Sequence, residues 1–287
     1  MIAHVAQTGE DRGRVVLQMR SGRPSPIALE AAVRVAQAFQ SEIESVFVED
    51  EQLMDCAAYG FVCEISLTGR QRRALSPDGV ARDLHLAATG ARRQIEELAR
   101  RAEVPLRSRT VRDEPLRAMS IACAETGPWN VVALSEPFTG STGSMLKQLL
   151  IEIAGATGLV LVGPQARRTT GPAIVAVEDI DRLPAMLRAA ERIAALDGAE
   201  IILLLVASDE ERLAWMDGQA RLVIEAREDV RIASAAVARG EAAVIAETLR
   251  RMRGGFVIGH FGGLVVPDEG NLRPLGAALE CPLFLVR

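Results

Sequence analysis

The chain of 287 residues is long enough for about two domains, each of which can bury a core of its own. Its 49% hydrophobic and 25% charged residues are typical of a globular protein, whereas 3% aromatic residues and a net charge of -5 argue against nucleic-acid binding. No run approaches the ~18 apolar residues that would indicate a membrane span, and we expect a cytoplasmic protein that binds neither membrane nor nucleic acid.

The first half alternates short apolar runs with helical patterns. The runs are RVVLQM (14–19), IESVFV (43–48), VVAL (131–134) and GLVLV (158–162). They are rich in β-branched residues, as buried parallel strands are. Residues 26–39 and 83–102 carry apolar side chains at helical spacing. This alternation predicts right-handed crossovers and a mostly parallel sheet with helices on both faces.

A long connection, residues 49–79, separates the second strand from the next helix. Its centre, FVCEISL (61–67), alternates as a small edge strand does, and GRQRR (69–73) adds positive charge. Connections of this length are usually functional or partly disordered. We interpret this insertion as a lid or packing flap over the first domain, in preference to a dedicated binding element.

After a Gly/Pro/Arg-rich stretch (163–172), the pattern starts again. Its strands are AIVAV (173–177), IILLLVA (201–207), VRIASAAVA (230–238), FVIG (256–259) and PLFLV (282–286), and its helices cover 183–196, a segment through Trp215, Val223 and Ile224, and 241–253. The shared order predicts a tandem duplication with domains at 1–165 and 166–287. GLVLV and PLFLV are candidates for the contact between halves, because an exposed apolar edge strand is a liability.

Several of these segments together resemble a universal stress protein domain. They are SPIALEAAVRVAQAF, VFVED, VVALSEPFTGSTGSMLKQLL and GLVLV in the first half, and AIVAVEDIDRLPAMLRAAERIAAL, GGFVIGHFGG and ECPLFLVR in the second. The resemblance implies an α/β chain of two tandem doubly wound domains, each a five-stranded, mostly parallel sheet of the adenine nucleotide alpha hydrolase-like kind. It also implies ATP at the carboxyl ends of the strands, as in many members of the family, which is where open α/β sheets bind ligands.

The first half retains part of the family's nucleotide motif, which runs Gly, two residues, Gly, nine residues, then Gly-Ser or Gly-Thr. Gly140 and Gly143 match its first two glycines. Without side chains they let backbone N–H groups approach an anion at the start of the following helix. Ser141, Thr142 and Ser144 add hydroxyl donors, so this GSTG loop is a candidate nucleotide or anion site.

The rest of the motif is lost. The Gly-Ser position falls on residues 153–154 or, with a one-residue gap, on Glu152 and Ile153, and a carboxylate there would repel phosphates. Arg20 stands where family members carry an aspartate at the end of the first strand. Its guanidinium has only donors, so it cannot accept from a ribose but can bind a phosphate. Either Arg20 belongs to a retained anion site, or it pairs with Glu152 and closes the old pocket.

The second half departs further from the motif. Glu178 or Asp179 keeps an acceptor at the aspartate position, and Gly259 and Gly262 keep the glycine spacing. Asp268, however, brings negative charge to the place of a phosphate. We expect this half to supply a packing surface and to bind no nucleotide.

No enzyme signature is evident. Cys56, Cys63, Cys123 and Cys281 are scattered without a CxxC pair or nearby histidines, which predicts buried reduced thiols and no metal site. His260 is a single loop histidine with no nucleophile and acid at a recognisable spacing.

The sequence therefore predicts a non-catalytic stress-response regulator of the universal stress type, with a degenerate nucleotide site. In this hypothesis the GSTG loop and the insertion sense an anion or a protein partner whose identity the sequence does not give, and a homodimer can form on top of the internal pair. No cofactor is certain, and ATP and phosphate are the candidates. The alternatives are an ATP-binding signalling switch with weak phosphatase-like activity, using the GSTG loop and Lys147, and an adenylate-forming enzyme. The last needs a phosphate loop after the first strand, which QMRSGRPSP does not supply.

Overall fold

The structure is a computed structural model. It describes residues 13–19, 25–66, 68–124, 130–135, 156–225, 227, 229–236, 242–263, 275 and 278–287. The elements of the first half are β1 (Arg14–Met19), α1 (Pro26–Ala38), β2 (Glu42–Asp50), α2 (Glu51–Ala58), β3 (Cys63–Ile65), β4 (Arg72–Ala74), α3 (Pro77–Arg101), β5 (Leu106–Asp113), α4 (Pro115–Ala124), β6 (Asn130–Ser135) and β7 (Ala156–Val162). Those of the second half are β8 (Ala173–Val177), a 3-10 turn (Ile180–Arg182), α5 (Leu183–Ala195), β9 (Ile201–Ala207), α6 (Glu210–Ile224), β10 (Val230–Ala236), α7 (Ala242–Arg251), β11 (Phe256–His260) and β12 (Leu283–Val286).

Ten strands form one sheet in the order β10-β9-β8-β11-β12-β7-β6-β1-β2-β5. Within each half the strands stand in the order third, second, first, fourth, fifth, and every neighbouring pair is parallel. The predicted α/β class, with a large, mostly parallel sheet flanked by helices, is confirmed.

The two halves meet where β12 pairs with β7 in antiparallel orientation, in a register that places Leu283 opposite Leu161 and Val286 opposite Gly158. These are the two strands that the sequence predicts as candidates for the contact between halves, and they pair. We call this junction the seam. Helices α1 and α5 approach each other across it, and the rings of Phe39 and Phe284 meet edge to face there at 5.9 Å.

Apolar layers cover both faces of the sheet because its strands are buried on both sides. One layer holds α1, α3, α5 and α6, with Leu17 and Phe47 pointing into it. The other holds α4 and α7, with Val16 and Val46 pointing into it. This two-sided burial explains why β9 is apolar at all seven positions, Ile201–Ala207.

Local signals fix where several helices begin. The side chain of Asp50 accepts a hydrogen bond from the backbone N–H of Gln52 at the start of α2, and Asp209 accepts one from Arg212 at the start of α6. Such caps satisfy N–H groups that have no partner inside the helix. Pro77 occupies the first turn of α3, where its missing N–H costs nothing.

The insertion differs from the sequence-based expectation. A strand does form within 61–67, but β3 pairs only with β4 in a separate two-stranded sheet and joins no edge of the main one. Helix α2 packs on α3 through a small core around Ala57 and Leu84. Between them the segment presents Tyr59 and Phe61 to solvent, the latter 85% exposed.

Candidate functional site

Each half has one point at which its strand order reverses. The first and fourth strands of each half are neighbours, and their connections leave in opposite directions, which opens a crevice at their carboxyl ends. In the first half this point lies between β1 and β6, and in the second between β8 and β11.

The residues predicted for the first-half site lie outside the described residues. They are Arg20, Gly140, Ser141, Thr142, Gly143 and Ser144, and Lys147 and Glu152 lie outside as well. The strands that lead to them are described. Gln18 of β1 pairs with Leu134 of β6, so the segments that carry Arg20 and the GSTG loop leave the sheet from adjacent strand ends.

The crevice of the second half is an open cleft of about 470 Å³. It is lined by Glu178, Asp179, Val206, Ala207, Ser208, Arg212, His260, Gly262 and Gly263. The carboxylates follow β8, the histidine ends β11, and the arginine stands on the first turn of α6. The expected packing surface is thus an open cleft in the structure.

Two adjacent glycines shape the floor of this cleft for different reasons. Gly262 has a φ of +84°, a backbone conformation that side chains with a Cβ rarely adopt. Gly263 makes room for Glu178, since a Cβ on Gly263 would lie 2.6 Å from Oε1 of that carboxyl group. The carboxylate of Glu178 therefore packs directly against the backbone of Gly263.

The other charged side chains of the cleft, Asp179 and Arg212, are held in place at its rim. The side chain of Asp179 accepts a hydrogen bond of 3.0 Å from the N–H of Asp181 and caps the 3-10 turn. The guanidinium of Arg212 lies over the ring of Trp215, 4.0 Å from its centroid. The hydroxyl of Ser208 donates to Asp209, and the backbone N–H of Arg212 and this hydroxyl together lower the pKa of that carboxyl.

The histidine of the cleft has an unusual environment. Nδ1 of His260 is shielded from solvent and meets no hydrogen-bond partner among the residues that the structure describes. In the sequence, His260 stands only as a lone loop histidine. The feature that could have predicted its place in the cleft is the glycine pair that follows it, Gly262 and Gly263, because such a pair permits a tight turn at the end of a buried strand.

The cleft carries both hydrogen-bond acceptors and a cation. Glu178 and Asp179 can accept from hydroxyl or ammonium groups, and the guanidinium of Arg212 donates. In the described part of the chain, no three His, Cys, Asp or Glu side chains cluster as a metal site would require.

The cysteines divide into two classes. Cys123 and Cys281 are buried as predicted, and burial raises the pKa of each thiol to about 12. The expectation was wrong for Cys56, which is exposed on α2, and Cys63 is half-buried. Both lie in the insertion, which has too small a core to cover them.

Comparison with known proteins gives the fold. No protein-family model matches the chain, and no curated protein matches it significantly. A universal stress protein from Archaeoglobus fulgidus DSM 4304 matches at a TM-score of 0.63 and 11% identity, over 97% of both chains. A putative universal stress protein from Pseudomonas aeruginosa UCBPP-PA14 matches at 0.58 and 15%, over 97% of this chain and 94% of its own.

A third similar structure is a domain of a transport protein. The cytoplasmic domain of a prokaryotic cation chloride cotransporter matches at a TM-score of 0.57 and 9% identity, over 96% of this chain and 95% of its own. In the described part of the present chain, no helix is both long enough and apolar enough to cross a bilayer. These likenesses establish that the chain has the fold of universal stress proteins along nearly its whole length.

Proposed function

We propose that this chain is a non-catalytic, cytoplasmic stress-response regulator of the universal stress type, built from domains at 1–165 and 166–287. The shared fold supports this, and the repeated strand order supports the two domains. The observation that carries the proposal is the carboxylate of Glu178 against Gly263, at the point where this fold presents its ligand crevice. Glu178 fills the space over Gly263, so we expect no phosphate to be held against this glycine.

The repulsion between a carboxylate and a phosphate supports this expectation. Two like charges about 4 Å apart near a protein surface repel each other by about 4 kcal/mol. A penalty of that size weakens binding by about a thousandfold. We expect a nucleotide phosphate beside Glu178 to be disfavoured by at most this amount, because Arg212 at the rim of the same cleft offsets part of the repulsion.

For the first half we propose an anion site formed by Arg20 and the GSTG loop, residues 140–144. The adjacency of the ends of β1 and β6 supports it, because both segments leave the sheet side by side. A guanidinium and a run of backbone N–H groups there can share one phosphate. The ligand is inorganic phosphate or a phosphorylated small molecule.

Calorimetric titration with ATP, ADP and inorganic phosphate tests both halves. We expect phosphate to bind the native protein, and the binding to be lost in Arg20→Asp and Gly143→Val but retained in Glu178→Gln. No ATP turnover should be detected. Micromolar ATP binding that Gly143→Val abolishes would replace this proposal with the ATP-binding switch, and ATP binding that survives Gly143→Val would place the nucleotide in the second half.

We assign partner binding to the insertion. It exposes the apolar side chains of Tyr59 and Phe61, and the cations Arg70 and Arg72 of the same segment are exposed as well. Sedimentation velocity of the native protein and of Phe61→Ser distinguishes two partners. A dimer that dissociates in the variant identifies a second copy, whereas a monomer at all concentrations indicates a different, acidic protein.

A further inference from the structure

A pocket of about 270 Å³ lies on the seam, away from both strand-order reversal points. Its lining is Phe39, Val131, Thr157, Ala185, Arg188, Ala189, Arg192, Phe284, Val286 and Arg287. We call it the seam pocket. Both halves build it, because Phe39 ends the first helix of one half and Arg188 and Arg192 stand on α5 of the other.

The internal repeat provides a comparison for this pocket. A constant offset of 158 residues relates Val15 to Ala173 and Ile43 to Ile201, which are paired in the same way in the two halves. The same offset superposes six of the seven buried positions of α1 on buried positions of α5 and relates Pro26 to Pro184. Each residue beside the seam thus has a counterpart across it.

Acidic groups neutralise the cation on the side of the seam opposite the pocket. Arg34 there forms an ion pair with Asp197, and the carboxylate of Glu30 accepts a hydrogen bond from the hydroxyl of Thr169. One cation therefore faces two anions.

The pocket side has the opposite character. Arg192, the counterpart of Arg34, lies over the ring of Phe39, the counterpart of Asp197, with 5.2 Å from guanidinium carbon to centroid. Arg188 replaces Glu30. Arg188 and Arg192 are therefore two exposed cations, four residues apart on one face of α5. They line the same pocket as the ring of Phe39, in a protein of net charge -5. Among the described residues that line this pocket, none is acidic.

This arrangement is unfavourable without an anion. Like charges four residues apart destabilise a helix slightly, and on the other side of the seam the corresponding positions are neutralised. Guanidinium groups bind carboxylates through paired N–H···O bonds. The edge-to-face rings of Phe39 and Phe284 offer an apolar surface directly beneath. The volume is just below the roughly 300–1,000 Å³ of ordinary ligand sites, so the ligand is small.

We propose that the seam pocket binds a small amphiphilic carboxylate, with its charged group between Arg188 and Arg192 and a short hydrocarbon chain on Phe39 and Phe284. This site is separate from the anion site proposed at Arg20.

Calorimetric titration of the full chain with octanoate tests the proposal, with butanoate and 1-octanol as comparison ligands. We expect octanoate to bind more tightly than either, because butanoate lacks the apolar chain and octanol lacks the charge. Arg188→Glu, which copies Glu30, should weaken octanoate binding roughly tenfold or more through loss of a charge-assisted hydrogen bond. Arg188→Gln should have a smaller effect in the same direction.

Two controls separate this site from general charge effects. Arg182→Glu changes the net charge equally at the start of the same helix but lies outside the pocket, and it should leave octanoate affinity unchanged. Arg20→Asp should also leave it unchanged. Equal affinity for octanol and octanoate, an equal loss in Arg182→Glu, or no octanoate binding up to millimolar concentration would each overturn the proposal.

Discussion

The guanidinium of Arg14 contacts the carboxylate of Glu44 on the neighbouring strand, and the two residues are only 4% and 5% exposed. Glu44 also lies 2.7 Å from Nε of Arg109 on β5. The offset of 158 residues relates Glu44 to Ile202, so the second half fills this position with hydrocarbon. One half thus carries a buried ionic network where the other carries an apolar core.

Removing the shared carboxylate should be strongly destabilising. Glu44→Ala leaves the buried guanidinium of Arg14 with only Glu42, 3.8 Å away, as a counter-charge among the described residues, and we expect a loss of about 3 kcal/mol in the free energy of unfolding. Urea denaturation measures it. Glu97→Ala, which removes an exposed carboxylate paired with Arg100 and Arg101, is the control and should change the midpoint little. Equal losses in the two variants would show that the buried ion pairs contribute no more to the free energy of unfolding than the exposed ones.

Gly158 is required by the seam. A Cβ there would lie 2.7 Å from Cε2 of Phe284 and 3.2 Å from the carbonyl oxygen of Leu285. We expect Gly158→Ala to destabilise the protein by about 1–3 kcal/mol through overpacking, as measured by thermal unfolding.

The control is a glycine with open space around it. Gly90 lies within α3 and nothing approaches its added Cβ within 4 Å, so Gly90→Ala should stabilise by about 0.5–1 kcal/mol through helix propensity. If Gly158→Ala were also stabilising, the close packing of Phe284 at the seam would be refuted.

The buried thiols should make stability fall in alkaline solution. Burial raises the pKa of Cys123 from an ordinary value of 9.0 to about 12. Between these values the folded protein holds a proton that the unfolded chain releases, so rising pH favours unfolding. The expected slope is at most about 1.4 kcal/mol per pH unit for each thiol.

Urea denaturation between pH 8 and pH 11 checks this slope, with Cys123→Ala as the comparison. The variant should lose less stability over this range than the native protein. Cys56 is exposed, so Cys56→Ala should follow the native curve. Identical slopes for all three proteins would contradict the prediction.

The small core under the insertion should control its local stability. Leu84 is 3% exposed and packs beneath α2, whereas Leu86, two residues further along α3, is 63% exposed. Leu84→Ala should weaken this core by about 2–5 kcal/mol and speed tryptic cleavage at Arg70, Arg72 and Arg73. Leu86→Ala should leave the cleavage rate unchanged. Faster cleavage in both variants would show that the small core around Leu84 does not control the stability of the insertion.

Most strands were predictable from sequence because burial on both faces leaves a continuous apolar run. AIVAV and IILLLVA coincide with β8 and β9. The strand β5 was missed for the opposite reason. Its sequence LRSRTVRD lies at the edge of the sheet and is half-exposed. Arg107 and Arg112 form ion pairs with Glu42 and Glu49 on β2. Because the side chains of this edge strand form ion pairs with β2, its sequence contains no continuous apolar run from which a strand could be predicted.

The candidate site was less predictable than the fold. Glycine spacing identified the loop at residues 259–263, but the position of Glu178 over Gly263 depends on two segments separated by some 85 residues in the sequence. The seam pocket was invisible for a related reason. Arg192 and Phe39 are ordinary residues in their own helices, and only the pairing of β7 with β12 brings them together.

The seam joins two sides of one polypeptide, and this has an evolutionary consequence. In a dimer of identical chains, a substitution beside the twofold axis appears on both sides at once, so an arginine cannot replace Glu30 on one side alone. Here the two sides are encoded separately. The pair of Arg34 with Asp197 and the stacking of Arg192 on Phe39 are different outcomes at equivalent positions, which a single gene for one half has no means of producing.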